Sequence, residues 1–212
     1  MKIAVIGIGR VGGTVGRRWA DVGHEVIFGV RNPNDEKVKK LLESVGKKTR
    51  ATTVAGAAAA ADVVLLAVPW NAVQDAIKAA GKLGGKVIID CTNPMAPGSQ
   101  GFSRTIGPDT SVAEMIAGWA KDAQVVKALN ITGSGNMADP TYGSQKATML
   151  YCGDDAESKK IAAKLVTELG FETIDAGPLY MARYLEQFAL LWVNLALAQG
   201  LGPNIAFKLL KR

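Results

Sequence analysis

The chain has 212 residues, 48% of them hydrophobic and 21% charged, enough for one globular domain with a small C-terminal extension and unlike a disordered or fibrous sequence. Its net charge of +6 comes from residues dispersed over Lys37 to Lys40, Lys47, Lys48 and the Lys208 to Arg212 tail without interleaved aromatics, so nucleic acid is not expected as a partner; a basic surface equally suits polyphosphate ligands. No apolar run approaches the ~18 to 20 residues of a membrane span and the first run is too short for a signal peptide, so a cytoplasmic protein is expected.

That first run, Ile3 to Ile6, is of strand length and leads straight into Gly7-Ile8-Gly9-Arg10-Val11-Gly12. A helix is expected from about Val11 to Val22, stopped by Gly23. In such a strand–turn–helix the first glycine lets the chain turn sharply, the second lets backbone amides approach a pyrophosphate, and the third lets helix and strand pack closely. The helix N-terminus adds oriented N–H groups and the positive end of its dipole. Gly7, Ile8, Gly9, Arg10, Val11 and Gly12 are therefore candidate dinucleotide contacts.

The second strand, Glu25 to Phe28, ends in Gly29-Val30-Arg31-Asn32. An NAD-binding protein would carry an acid about 20 residues beyond the glycines, for the adenosine ribose hydroxyls. Arg31 instead offers a planar fork of donors for a 2′-phosphate, and Asn32 can add a neutral hydrogen bond, so the expected cofactor is NADP(H). Val30, Arg31 and Asn32 join the candidate site, with Lys37 as a weaker auxiliary.

The alanine-rich stretch Ala51 to Ala61 is expected to form a short helix packed closely under the sheet. Strands follow at Asp62 to Val68, Lys86 to Cys91 and Val125 to Leu129. The alternation with helices predicts a Rossmann-type, doubly wound, mostly parallel sheet, and the strand ends converge on one crevice. They contribute Val68, Pro69 and Trp70, then Asn93 and Pro94, then the loop from Asn130 through Ile131 and Ser134 to Asn136. The change of pattern after Leu129 places a boundary between a cofactor domain, 1–130, and a small C-terminal α/β and helical region, 131–212.

In that region Thr148 to Cys152 and Phe171 to Ile174 flank a helix capped by Asp154 or Asp155 and closed by Gly170, a βαβ unit. A long apolar helix is expected from Leu179 to Gln199, broken at Gly200-Leu201-Gly202-Pro203, with a short last helix carrying the basic tail. Its broad apolar surface points to a homodimer through the C-terminal helices. Cys91 and Cys152 read as buried free thiols, and no metal-spaced cluster is present. His24 lies in the turn before the second strand, away from the crevice, as a structural residue. The long helix offers Arg183, Glu186, Gln187 and Asn194 but no lysine to act as a base. With no acid or base beside the expected nicotinamide, the residues fit hydride transfer to a second redox ring, where holding two flat faces together does most of the work.

Gly7 to Gly12, Val30-Arg31, Val68-Pro69-Trp70, Gly153-Asp154-Asp155-Ala156-Glu157-Ser158-Lys159-Lys160 and Asp175-Ala176-Gly177-Pro178-Leu179 together resemble the NADPH-dependent 8-hydroxy-5-deazaflavin oxidoreductases and their relatives, over nearly the whole chain. The resemblance implies NADP in the crevice with its 2′-phosphate near Arg31, an acceptor ring stacked on the nicotinamide beside Asn130 and Ile131, and the Gly200 to Gly202 turn near the acceptor. Archaeal family members carry histidine where this chain has Asn130, while bacterial relatives and metalloreductase domains carry asparagine, so the acceptor is open among a deazaflavin, FMN and FAD. Two further readings stand beside this one: an imine or small-carbonyl reductase, and a non-catalytic NADP(H)-binding redox sensor.

Overall fold

The computed structural model describes residues 1–46 and 49–212; Lys47 and Lys48 lie outside them. The first part of the chain alternates strand and helix: β1 (Lys2–Ile6), α1 (Arg10–Asp21), β2 (Glu25–Val30), α2 (Glu36–Ser44), β3 (Thr49–Thr53), α3 (Val54–Ala60), β4 (Val63–Leu66), α4 (Val73–Ala80) and β5 (Val87–Asp90). A hairpin of β6 (Met95–Gly98) and β7 (Gly101–Arg104) precedes α5 (Val112–Trp119), β8 (Gln124–Lys127) and the single turn α6 (Ser134–Ala138). A second small hairpin, β9 (Thr141–Tyr142) and β10 (Gln145–Lys146), leads to β11 (Thr148–Gly153), α7 (Ala156–Glu168), β12 (Glu172–Asp175), α8 (Ala182–Val193) and a π-helical turn, Asn194–Ala198.

Eight strands form one sheet in the order β12-β11-β8-β5-β4-β1-β2-β3. Every neighbouring pair is parallel except β11 against β8, so the mostly parallel doubly wound sheet is as expected. The chain moves outward from β1 through β2 and β3, then returns to the other side of β1 as β4. That reversal opens a crevice at the C-terminal ends of β1 and β4, where ligands of open α/β sheets bind. The central strands are buried along their length, with Ile3, Ala4, Val64, Leu65, Ile88 and Ile89 fully inaccessible. Burial on both faces is why they read as unbroken apolar runs rather than as alternation. Trp19 of α1 is fully buried and its Nε1 donates to the carbonyl of Leu165 at 2.9 Å, fastening the first helix to α7.

Expected elements differ from the observed ones in three places. Thr49–Thr53 is an edge strand paired with β2, so the alanine run divides at Thr53, whose hydroxyl accepts from the Gly56 N–H at 3.1 Å and caps α3. The long helix is composite, a 3₁₀ turn at Leu179–Met181, then α8, then the π turn. The expected short last helix does not form. Residues 203–212 carry no helix because distant donors take their carbonyls: Asn136 Nδ2 and Trp192 Nε1 share the oxygen of Ile205 at 2.7 and 2.8 Å, and Thr148 N–H takes that of Phe207 at 2.9 Å. Phe207 also packs on Phe188 with ring centroids 4.4 Å apart.

Candidate functional site

The glycine turn is shaped by close approaches. Gly7 has φ +102°, and a side chain there would come within 2.5 Å of the Ala67 carbonyl oxygen at the end of β4. A Cβ on Gly12 would lie 2.0 Å from the Gly7 oxygen, so the third glycine is required for α1 to start so near the turn. Gly9 is different: among the described residues nothing lies within 4 Å of the place its Cβ would occupy. It is the N-terminal boundary of α1, whose first turn holds no acidic residue and no side-chain cap. The result is an open backbone cradle at a positive helix end, with Ile8 and Val11 half-buried and Arg10 exposed at its rim.

One strand further, Val30 is buried while Arg31 and Asn32 are exposed. Asn32 Oδ1 accepts from the Asn34 N–H at 3.1 Å, which leaves its amide N–H groups free to donate. Arg31 has no ion-pair partner among the described residues. Lys37 is exposed on the first turn of α2 beside the capping residue Asp35.

On the other side of the switch point, Val68 and Pro69 continue from β4, and Val68 lies against the Gly7 turn. The Trp70 ring, in the 3₁₀ turn Trp70–Ala72 before α4, is stacked on Trp119 of α5, centroids 5.9 Å apart and planes 13° from parallel, which occupies one of its faces. At the end of β5, Asn93 reaches across to β8: its Nδ2 donates to the Asn130 carbonyl at 2.8 Å, and Asn130 Nδ2 donates back to Asn93 Oδ1 at 3.1 Å. Asn130 Nδ2 also donates to the Leu185 carbonyl on α8 at 3.1 Å. Asn130 is 3% exposed, and its Oδ1 is buried with no partner among the described residues. Leu129, immediately before it, is fully buried at φ +59°, a conformation that costs a non-glycine residue roughly 1 to 2 kcal/mol. Such strain concentrates at sites whose side chains must be held in one direction. Pro94 and Ile131 are buried beside this pair, and Ser134 is half-buried at the start of α6. A Cβ on Gly133 would meet the Trp192 ring at 2.7 Å, so the loop lies tight under α8.

Beneath the asparagine pair is a charged network that sequence reading did not find. Lys127 Nζ, fully buried, donates to Asp90 Oδ2 at 2.8 Å, to Glu186 Oε1 at 3.0 Å and to the Thr92 carbonyl. Glu186 also accepts from the Val112 N–H at 2.8 Å and pairs with Arg104 at 3.3 Å. Asp90 Oδ1 accepts from both the N–H and the hydroxyl of Thr92. Burial alone would lower the Lys127 pKa, but the two carboxylates outweigh it and hold the ammonium above its ordinary value. Burial raises that of Glu186. A lysine does exist near the crevice, then, but all three of its donors are committed and it is closed to solvent, which suits a support rather than a base. The sequence signal was there: Asp90 and Lys127 are single charges at the ends of otherwise apolar strands.

The other residues singled out in the sequence are held in contacts of their own. Arg183 holds Glu114 by two donors, Nε to Oε2 at 2.9 Å and Nη2 to Oε1 at 2.7 Å. His24 is buried just before β2, at the end of the sheet opposite the crevice, its Nε2 2.7 Å from Glu168. Cys152 is fully buried and Cys91 half-buried, and both thiols are pushed up to about 12, first by burial. Among the described residues no helix is long and apolar enough to cross a membrane.

Residues 2–94 match the family described as NADP oxidoreductase coenzyme F420-dependent. The chain is 30% identical to the F420-dependent NADP reductase of Methanocaldococcus jannaschii over 97% of its own length and 98% of that protein. It is 33% identical to the enzyme of the same name from Methanothermobacter marburgensis over 92% of each chain. A solved structure from Arthrobacter sp. FB24, provisionally assigned as an F420-dependent NADP reductase, is 33% identical with a TM-score of 0.89 and full coverage of both chains.

Proposed function

The chain belongs to the coenzyme F420-dependent NADP oxidoreductase family, and on that premise we propose that it passes a hydride between NADP(H) and the deazaflavin coenzyme F420. The observation that carries this reading is the end-to-end similarity to reductases of that name; an NADP-dependent oxidoreductase is what such kinship describes.

The residues present fit the nucleotide. The space beside Gly9 and the uncapped start of α1 take the pyrophosphate, with Ile8, Val11 and Arg10 around it. Arg31 and Asn32 take the 2′-phosphate, a role supported by their register and by Arg31 lacking an acidic partner. Val68 and Pro69 line the β4 side, Asn93 and Pro94 the β5 side. The unpartnered Asn130 Oδ1 is an acceptor waiting for an amide donor, as a carboxamide would supply; Ile131 borders the acceptor ring and Ser134 the nucleotide. When bound, the nicotinamide and the deazaflavin supply the redox chemistry between them. The protein holds the two rings face to face, keeps water from between them and fixes their tilt through Asn93 and Asn130.

A second copy of the chain is the proposed partner, seated on α8, the π turn and the residues just after it, where Tyr184, Leu191, Leu197 and Leu201 are 62%, 49%, 57% and 60% exposed; sedimentation of the purified protein reads this directly. The reaction belongs in the cytoplasm.

The test is NADPH oxidation with coenzyme F420, FMN, FAD and small imines offered separately, repeated with NADH and with Arg31→Ala. Turnover with F420 and NADPH is expected, with NADPH affinity about tenfold weaker or worse in the variant and NADH use unchanged. Turnover of an imine alone would overturn the assignment. Tight NADPH binding with no turnover on any acceptor would make the protein a sensor.

A further inference from the structure

The β6–β7 hairpin rises from the rim of the crevice. It begins two residues after Asn93, and its base is closed by the Thr105 N–H donating to the Pro94 carbonyl at 2.8 Å. At that base Arg104 donates to the Gly107 and Thr110 carbonyls and pairs with buried Glu186. The other end is held by one side chain. Asn194 Oδ1 accepts from the Phe102 N–H at 2.9 Å while its Nδ2 donates to the Phe102 carbonyl at 3.0 Å and to the Leu190 carbonyl at 3.0 Å. The amide thus pairs with one residue of β7 on both its donor and its acceptor, as a neighbouring strand would.

Two departures from regular backbone accompany this clasp. Asn194 opens the π turn, a wide helical geometry that is rare and concentrates at functional sites. Gly101, next to Phe102, is at φ +115°, and a Cβ there would fall 2.3 Å from Asn194 Oδ1. The π turn then runs into Gly200 and Gly202, both at positive φ, and on to Asn204, whose Oδ1 lies 3.8 Å from where a Gly135 Cβ would be. Asn194 thus joins the hairpin to the π turn, and the chain beyond that turn reaches the end of the loop at Gly135.

We infer that Asn194 is a positioning residue for the acceptor: by clasping Phe102 it fixes the hairpin as the wall against which the deazaflavin is held, on the side of the crevice away from the nucleotide phosphates. The inference rests on the proposed reaction, but the clasp can be read apart from it. Deleting the two half-buried hydrogen bonds to Phe102 would loosen the hairpin without touching Gly7 to Gly12 or Arg31.

The experiment compares wild type, Asn194→Ala and Asn194→Asp. Hydrogen exchange at residues 97–102 is measured with and without F420, alongside KM for F420 and Kd for NADPH. Asn194→Ala is expected to exchange faster at the hairpin and to raise the KM for F420 about tenfold, with Kd for NADPH within about twofold of wild type. Asn194→Asp, which keeps the acceptor for the Phe102 N–H but turns a second oxygen on its carbonyl, should fall between. In wild type, F420 should slow hairpin exchange and NADPH alone should not. A faster-exchanging hairpin with unchanged KM for F420 would overturn the inference and leave the proposed reaction standing. F420 binding that protects the hairpin without any turnover would overturn the reaction and keep the wall. An Asn194→Ala chain whose Kd for NADPH worsens in step with its KM would show general loosening and also overturn the inference.

Discussion

On the β1–β2 flank of the crevice the working surfaces are backbone: the Gly7 turn, the open space at Gly9, the bare start of α1, and one exposed arginine. On the β5–β8 flank they are side chains, an asparagine pair resting on a buried network of Asp90, Lys127, Glu186 and Arg104. The nucleotide flank can be built from local sequence because a diphosphate asks only for N–H groups and room. The acceptor flank must aim neutral donors and acceptors at a ring, and aiming requires support from several elements at once. Five elements meet at the Lys127 ammonium and its partners: β5, β7, β8, α8 and the start of α5.

Removing the ammonium should do the most damage to the acceptor flank. Lys127→Met leaves two buried carboxylates facing one another with only Arg104 nearby, and breaking a buried pair by deleting one partner costs about 3 to 5 kcal/mol. Urea unfolding should show a loss of that size, and adding Glu186→Gln to the same chain should recover part of it. A Lys127→Met protein as stable as wild type would mean the acceptor flank does not depend on its buried charges.

The nucleotide flank predicts the opposite pattern, function lost with stability kept. Gly9 is in extended backbone with none of the described residues near its missing Cβ, so Gly9→Val should lower stability by less than about 1 kcal/mol. Its branched side chain fills the space proposed for the pyrophosphate, and NADPH binding by titration should weaken at least about a hundredfold, or about 2.7 kcal/mol. Undiminished NADPH affinity in that variant would place the phosphates elsewhere.

The same contrast explains what could be read from the chain alone. The glycine turn and Arg31 sit at fixed offsets from one strand, so a single stretch of sequence displays them. The buried network joins residues 37 and 59 positions apart, which become neighbours only once β8 is placed beside β5 and α8 across both. The tail failed for a related reason: its apolar residues suit a helix, yet its carbonyls serve Asn136, Trp192 and Thr148 from elsewhere in the fold. At Thr53 the signal was local but outvoted, a capping hydroxyl inside an alanine-rich run. Trp70 was legible as a strand-end residue, but not that Trp119, 49 positions on, would occupy one of its faces.

A smaller effect refines the acceptor flank from its outer edge, where a second glutamate meets the same helix. Glu186 accepts the Val112 N–H from inside, and burial raises its pKa. Two residues along α5, Glu114 is half-buried, receives both Arg183 donors and the Ser111 hydroxyl at 2.7 Å, and is held below the ordinary glutamate value of 4.5, chiefly by Arg183. A carboxyl lowered by folding contributes stability that is present above its unfolded pKa and lost as the pH falls through its folded one. Between about pH 6 and pH 3, therefore, wild type should lose stability that Glu114→Gln, already without the charge, does not have to lose. The pair is partly open to solvent, so the gap should be under about 1 kcal/mol and should shrink in salt. Melting curves across that range test it. A gap between the two proteins that stays constant with pH would mean that Glu114 acts through its hydrogen bonds alone, leaving the interior network as the only part of this flank that depends on charge.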